Sequence, residues 1–189
     1  MFKELEFKYR ADHVRLSEFK ALMGELASIR HISAASWDIY YIQDGKPDSF
    51  QRFRMDSLKP ELTKKVKTQD ANNWYRVESD LPLSPKITEE QVSVHVGLDG
   101  YRENFRIFKA CDIYVFEHLN FVFYVVFNHE MQEIGRFIEV EVNKDSVEHL
   151  DDEAMFVLRS GEVSLFTLGI TAQNRLKKSL FELYRKDVS

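Results

Sequence analysis

Five segments of this chain follow one rule: a charged residue at every second position, with apolar residues between, Ser79 alone excepted. Residues 4–8 read ELEFK, 52–54 RFR, 65–67 KVK, 76–80 RVESD and 139–141 EVE. Successive side chains on a strand point to opposite faces, so residues i, i+2 and i+4 share a face at spacings of about 6.5–7 Å. The first segment therefore places Glu4, Glu6 and Lys8 together. The others place Arg52 with Arg54, Lys65 with Lys67, Arg76 with Glu78 and Asp80, and Glu139 with Glu141. Leu5, Phe7, Phe53, Val66, Val77, Ile138 and Val140 take the opposite faces.

Two arrangements satisfy this pattern. An open sheet can show its charged faces to bulk water, where Lys–Glu pairs across strands need no function. Alternatively the sheet curls with those faces inward. Interior charges must then be paired, hydrated or bound to ligands, and the outward apolar faces need a cover of amphipathic helices.

The remaining segments supply such helices. A helix is expected after Asp12 as N-cap, with Phe19, Leu22, Met23, Leu26 and Ile29 forming one apolar stripe. From Ser36 the pattern returns to strands: SWDIYYIQ, a turn at DGKPD, SFQRFRMD, ELTKKVKT after Lys59-Pro60, and NWYRVESDL. Thr88 and Gln91 form a capping box for a short helix. A long β region follows Gly100, broken near residues 117–120 and 128–135 and closed by RFIEVEV. Residues 146–168 read as helix with a break at Gly161, and 176–185 as a last short helix. Strand, helix, many antiparallel strands, helix is an α+β order, and about eight strands suffice to close a barrel.

Composition excludes several classes. In 189 residues, 44% are hydrophobic and 30% charged, enough for a core and too apolar for disorder. The net charge of −5 argues against a nonspecific nucleic-acid binder, while leaving room for a local basic pocket. The single cysteine, Cys111, cannot form an internal disulfide, which fits a reducing compartment. The N-terminal residues show no signal-peptide pattern, and FVFYVVF at 121–127, the longest apolar run, is too short to span a bilayer as a helix. The expectation is a cytoplasmic, soluble protein without a nucleic-acid or membrane partner. Walker, HExxH and G-x-S-x-G motifs are absent, and the six histidines lack zinc spacing.

If the charged faces share a cavity, its chemistry follows. Carboxylates from two strands suit a hard divalent cation such as Mg²⁺ or Mn²⁺. Arginine and lysine suit phosphate oxygens. Together they point to a metal–polyphosphate substrate, handled by positioning and by neutralising charge.

The order of these motifs resembles the CYTH domain, or triphosphate tunnel metalloenzyme, superfamily. ELEFK resembles its E-x-E-x-K signature, and Asp38-Ile39-Tyr40-Tyr41 its D-x-Y-Y/F strand. Arg52-Phe53-Arg54 resembles its R-x-R, Leu62-Thr63-Lys64-Lys65 its L-T-x-K, and Arg76-Val77-Glu78 its R-x-E. Residues 135–141, GRFIEVE, resemble its G-x-F-x-E-x-E, and Lys177-Lys178-Ser179-Leu180 sits where it has a basic residue before S-Y. The layout is most similar to class IV adenylyl cyclase-like members.

The resemblance implies an eight-stranded antiparallel closed β-barrel, a tunnel with flanking helices, as one domain over residues 1–189. It implies divalent metal, Mg²⁺ or Mn²⁺, on Glu4, Glu6, Glu139 and Glu141. Lys8, Arg52, Arg54, Lys65, Arg76 and Lys109 would act on and hold the triphosphate, with Glu78 in the same lining. The implied substrates are ATP, thiamine triphosphate or tripolyphosphate. Hydrolysis and cyclisation of ATP with loss of pyrophosphate stay equally open, and so does a homodimer. Two positions depart from the family. The K-x-R strand reads Lys109-Ala110-Cys111, losing an arginine, and His129 stands where an aspartate is expected. As a metal ligand His129 would favour Mn²⁺ over Mg²⁺. Cys111 reads as a filler of the barrel wall. The departures leave a second reading, a non-catalytic nucleotide- or polyphosphate-binding protein with a degraded tunnel site.

Overall fold

The computed structural model describes residues 2–46, 49–56, 59–67, 75–81, 83–143 and 152–186; for residues 2–4, 67 and 75–78 it describes the backbone alone. The chain runs β1 (Phe2–Arg10), α1 (Leu16–Glu25), β2 (Arg30–Gln43), β3 (Ser49–Asp56), β4 (Pro60–Lys67) and β5 (Tyr75–Leu81). It continues through α2 (Glu89–Leu98), β6 (Tyr101–Val115), β7 (Leu119–Phe127), β8 (Glu133–Val142), α3 (Asp152–Ser164), β9 (Arg175–Leu176) and α4 (Leu180–Tyr184). All the strands join one antiparallel sheet in the order β5-β4-β3-β2-β6-β7-β8-β1-β9. Among the described residues no helix is long and apolar enough to cross a membrane.

The expected closed barrel of eight strands is not what forms. Among the described residues the sheet has nine strands and curls into a tunnel-like trough without closing as a barrel. The reason lies in β1, which changes partner halfway. Phe2–Leu5 pair with β5, whereas Glu6–Arg10 pair with β8. No residue of β1 has β5 and β8 on its two sides at once. Beside Lys8 and Tyr9 the other edge of β1 belongs to β9. A sequence pattern counts strands and faces; it does not show that one strand divides its two edges among three neighbours.

The alternation is honoured, and its apolar side faces outward under helices. Phe7, Phe121, Ile138 and Val140 pack with Phe19 of α1 and Leu158 of α3. Ile39, Phe53 and Leu62 pack with Val92 and Val96 of α2. Helix α2 starts with the expected capping box: Thr88 Oγ1 accepts from Gln91 N–H at 3.2 Å, and Gln91 Oε1 from Thr88 N–H at 3.0 Å.

Helix α1 departs from expectation at both ends. Its N-cap is Arg15, whose N–H donates to Glu18 at 2.9 Å. Asp12 instead bridges strands, accepting from the Arg136 N–H at 2.9 Å and from Arg10 Nε at 2.6 Å. The helix stops at Glu25, and Ala27 takes a left-handed φ of 56°. Ile29, expected on the buried stripe, is therefore 71% exposed. At the C-terminal end, residue 176 lies in β9 and only Leu180–Tyr184 are helical, capped by Ser179 Oγ accepting from Glu182 N–H at 3.2 Å.

A buried ion pair anchors β9. Glu162 of α3 meets the Arg175 guanidinium, the Tyr9 hydroxyl donates to Glu162 at 3.0 Å, and Arg175 stacks 3.8 Å over the Phe7 ring. Beside it, Gly161 does not break α3 as expected. It allows close approach, since a Cβ there would sit 2.5 Å from Val140 Cγ1 and 3.3 Å from Leu119 Cδ2. Helix propensity alone favours Gly161→Ala by about 1 kcal/mol. Overpacking a sheet residue costs about 1–3 kcal/mol, so the clash wins. Gly161→Ala is expected to lower the Tm by several degrees; a melting curve with Tm unchanged or raised would show that α3 can shift away from β8.

Candidate functional site

The charged faces do converge. Within the curled sheet lies a cavity of about 210 Å³ lined by Glu6 and Lys8 of β1, Arg52 and Arg54 of β3, Lys65 of β4, Lys109 and Cys111 of β6, and Glu139 and Glu141 of β8. Period-two alternation delivers each pair to the lining, and the antiparallel register brings the pairs face to face. Glu6 stands directly opposite Glu141, and Lys8 opposite Glu139.

The acids cluster at the β1–β8 seam. Carboxylate oxygens of Glu6, Glu139 and Glu141 lie within 4.8 Å of one another. Like charges directly opposed on a ladder are destabilising unless something lies between them. Lys8 supplies part of the compensation: its Nζ is 2.8 Å from Glu6 Oε1 and 2.9 Å from Glu139 Oε1. Burial by itself would lower the Lys8 pKa, but Glu139 and then Glu6 outweigh it and push it above its ordinary value. Burial would likewise raise Glu139, yet Lys8 and then Lys109 hold it below the usual value. Three carboxylates with one ammonium keep a formal charge of −2. An all-oxygen donor set with that charge fits a hard divalent cation.

The bases come from the opposite wall and are held by an acid that the sequence reading left without a role. Asp38 is completely buried; Arg54 forks onto it, Nε to Oδ1 at 2.8 Å and Nη2 to Oδ2 at 2.9 Å. Lys109 Nζ lies 3.5 Å from the same carboxylate. Burial would raise the Asp38 pKa, but Arg54 and then Lys109 hold it far below its ordinary 3.8. Its stabilising contribution is therefore complete above pH 3.8 and is lost only as pH falls towards the lower folded value. The sequence marked Asp38 by its place in the D-x-Y-Y/F resemblance and by lying two residues from the inward-facing Tyr40, but neither named its basic partners.

One end of the cavity is apolar. Phe181 of α4 stacks on Phe50 with ring centres 4.2 Å apart, and Tyr40 stacks on Phe105 at 4.5 Å. Tyr40, Phe50 and Phe181 belong to the lining, with Ser179 beside them.

One expected site residue is not gathered, and the side chains of three others lie outside the described residues. His129 lies in the β7–β8 turn with its side chain 71% exposed and 3.8 Å from Glu130, outside the cavity lining. A turn residue between paired strand ends points away from the sheet interior, so His129 gives no reason to prefer Mn²⁺. Glu4, Arg76 and Glu78 have defined backbone registers, Glu4 with Arg76 and Lys65 with Glu78, while their side chains lie outside the described residues. Lys177 and Lys178 are exposed. Cys111 does line the wall, and burial pushes its thiol up despite Lys109 and Arg54, the opposite of the lowered pKa that marks an activated thiol.

No family model and no curated protein matches the chain. Solved structures do. The PH1012 protein of Pyrococcus horikoshii superposes with a TM-score of 0.73 at 20% identity, over 95% of this chain and 98% of its own. A candidate adenylate cyclase from Vibrio parahaemolyticus gives 0.64 at 15% identity, over 95% and 96%. HpAC1 from Hippeastrum, a candidate adenylyl cyclase described as revealing a dominant triphosphatase activity, gives 0.55 at 14% identity, over 90% and 89%. At such identities the likeness is one of architecture, and the chain has the triphosphate-tunnel, or CYTH, fold.

Proposed function

We propose that this chain, as one tunnel domain over residues 1–189, is an enzyme acting on a triphosphate-bearing small molecule together with a divalent cation. One observation carries the reading: three clustered carboxylates and five basic side chains line the same small cavity. Its neighbours' association with adenylate cyclase and triphosphatase activity supports the same class of substrate.

Glu6, Glu139 and Glu141 would hold Mg²⁺ or Mn²⁺, joined by Glu4 through strand alternation. The cation would supply charge neutralisation on the phosphate chain. Arg52 and Lys65 would bind phosphate oxygens from the facing strands, with Arg76 and Glu78 extending that lining. Arg54 and Lys109, both tied to Asp38, would present preset donors that need no reorganisation as charge develops. Lys8 would compensate the acids and face the same phosphate chain. Hydrolysis and cyclisation draw on this lining equally.

A second reading is favoured by one feature. Cys111 lines the cavity where the family pattern has an arginine, which weakens a phosphate clamp. A site so altered could hold a nucleotide or polyphosphate without turning it over.

Incubation with ATP, thiamine triphosphate and tripolyphosphate in Mg²⁺ or Mn²⁺, following phosphate, pyrophosphate and cyclic AMP, separates the readings. Turnover of at least one substrate is expected, and Glu139→Gln should reduce it by roughly 10²-fold or more. A ligand-dependent rise in Tm without product would establish the binder instead. Arg52→Ala and Lys65→Ala should each raise KM by roughly tenfold or more, since a hydrogen bond to a charged group contributes about 1.5–3 kcal/mol. Unchanged KM in both variants would remove the phosphate from that wall.

A further inference from the structure

The run FVFYVVF, residues 121–127 of strand β7, reads as plain apolar wall apart from one polar side-chain atom, the Tyr124 hydroxyl. Tyr124 is fully buried. Its hydroxyl donates to Glu139 Oε1 at 2.7 Å, the same oxygen that Lys8 Nζ approaches at 2.9 Å. Two donors on one oxygen fix the carboxylate's rotation and leave its other oxygen to offer to a cation. The Tyr124 ring is itself fixed. It stacks on Phe137 with centres 5.3 Å apart and planes 20° from parallel. Lys109 Nζ stands 4.8 Å from the ring centroid, within cation–π range. That ammonium reaches Asp38 in the basic half of the cavity.

We propose that Tyr124 couples the two halves of the site: its hydroxyl orients Glu139 for the divalent cation, and its ring seats Lys109 for phosphate. Tyr124 is a positioning residue, since it acts through Glu139 and Lys109. The proposal rests on the reading of the cavity as a cation–phosphate site, and it divides Tyr124 into two separable parts. Phenylalanine keeps the ring and loses the hydroxyl; leucine loses both.

The test measures binding to the full chain, not turnover. Mn²⁺ affinity is read by electron paramagnetic resonance, and metal-free tripolyphosphate affinity by calorimetry. For Tyr124→Phe the Mn²⁺ Kd should rise roughly 10–100-fold, the usual effect of removing a partner that orients a metal ligand. Its metal-free tripolyphosphate Kd should stay at the wild-type value. Tyr124→Leu should weaken both, the anion by about 2–30-fold through the lost cation–π contact. Should the leucine variant fail to fold, the near-isosteric phenylalanine variant still decides the hydroxyl's part, and Tyr124→Met takes the place of leucine for the ring's. Wild-type Mn²⁺ affinity in Tyr124→Phe, or equal loss of both ligands in it, overturns the proposal while leaving the cation reading intact. A wild-type chain that binds no Mn²⁺ overturns both.

Discussion

Charge compensation inside a curled sheet is the constraint on which this structure turns. Glu6, Glu139 and Glu141 could not share one corner of a partly buried cavity without cations, and Lys8 stands among them. Arg54 and Lys109 could not sit in the opposite wall without an anion, and Asp38 lies beneath them. Burial penalises the charged forms of Lys8, Asp38 and Glu139, and the partners' fields outweigh it at all three. Buried pairs of this kind add little net stability compared with apolar residues of similar volume. Their effect is geometric: each acid orients a base, and each base fixes an acid.

The rest of the architecture serves that interior. With polar faces inward, the apolar faces of β1, β7 and β8 lie outside and are covered by α1 and α3, while α2 covers those of β2 to β4. Gly161 lets α3 sit close enough for Val140. The Glu162–Arg175 pair holds the two-residue strand β9 on the edge of β1, and from there the chain delivers Ser179 and Phe181 to the cavity wall. A C-terminal segment with little backbone pairing of its own is thereby positioned beside the lining.

Much of this was legible beforehand. Period-two alternation identified which residues share a face, and Glu6, Lys8, Arg52, Arg54, Lys65, Glu139 and Glu141 do line one cavity, together with Lys109, which the family resemblance had pointed to. The capping box at Thr88 depends on residues three apart, so it too was readable. What was missed depends on contacts distant in the chain. Asp12 looked like a helix cap because local rules know nothing of the Arg136 N–H across the sheet. His129 looked like a ligand by position in a motif, but the turn that carries it projects out of the interior. Asp38 was matched to a family motif without a role, and Tyr124 lay in a plain apolar run, because their partners, Arg54 and Glu139, lie 16 and 15 residues away.

By itself the sequence determined which side chains each strand commits to each face, because alternation is a property of the extended backbone and needs no neighbour. It also determined that the charged faces would require partners if they turned inward. Tertiary structure alone decided which face turned inward, that β1 would divide between β5, β8 and β9 instead of completing a barrel, and which acid neutralises which base. Those outcomes depend on register and curvature, which arise only when strands far apart in the chain are brought side by side.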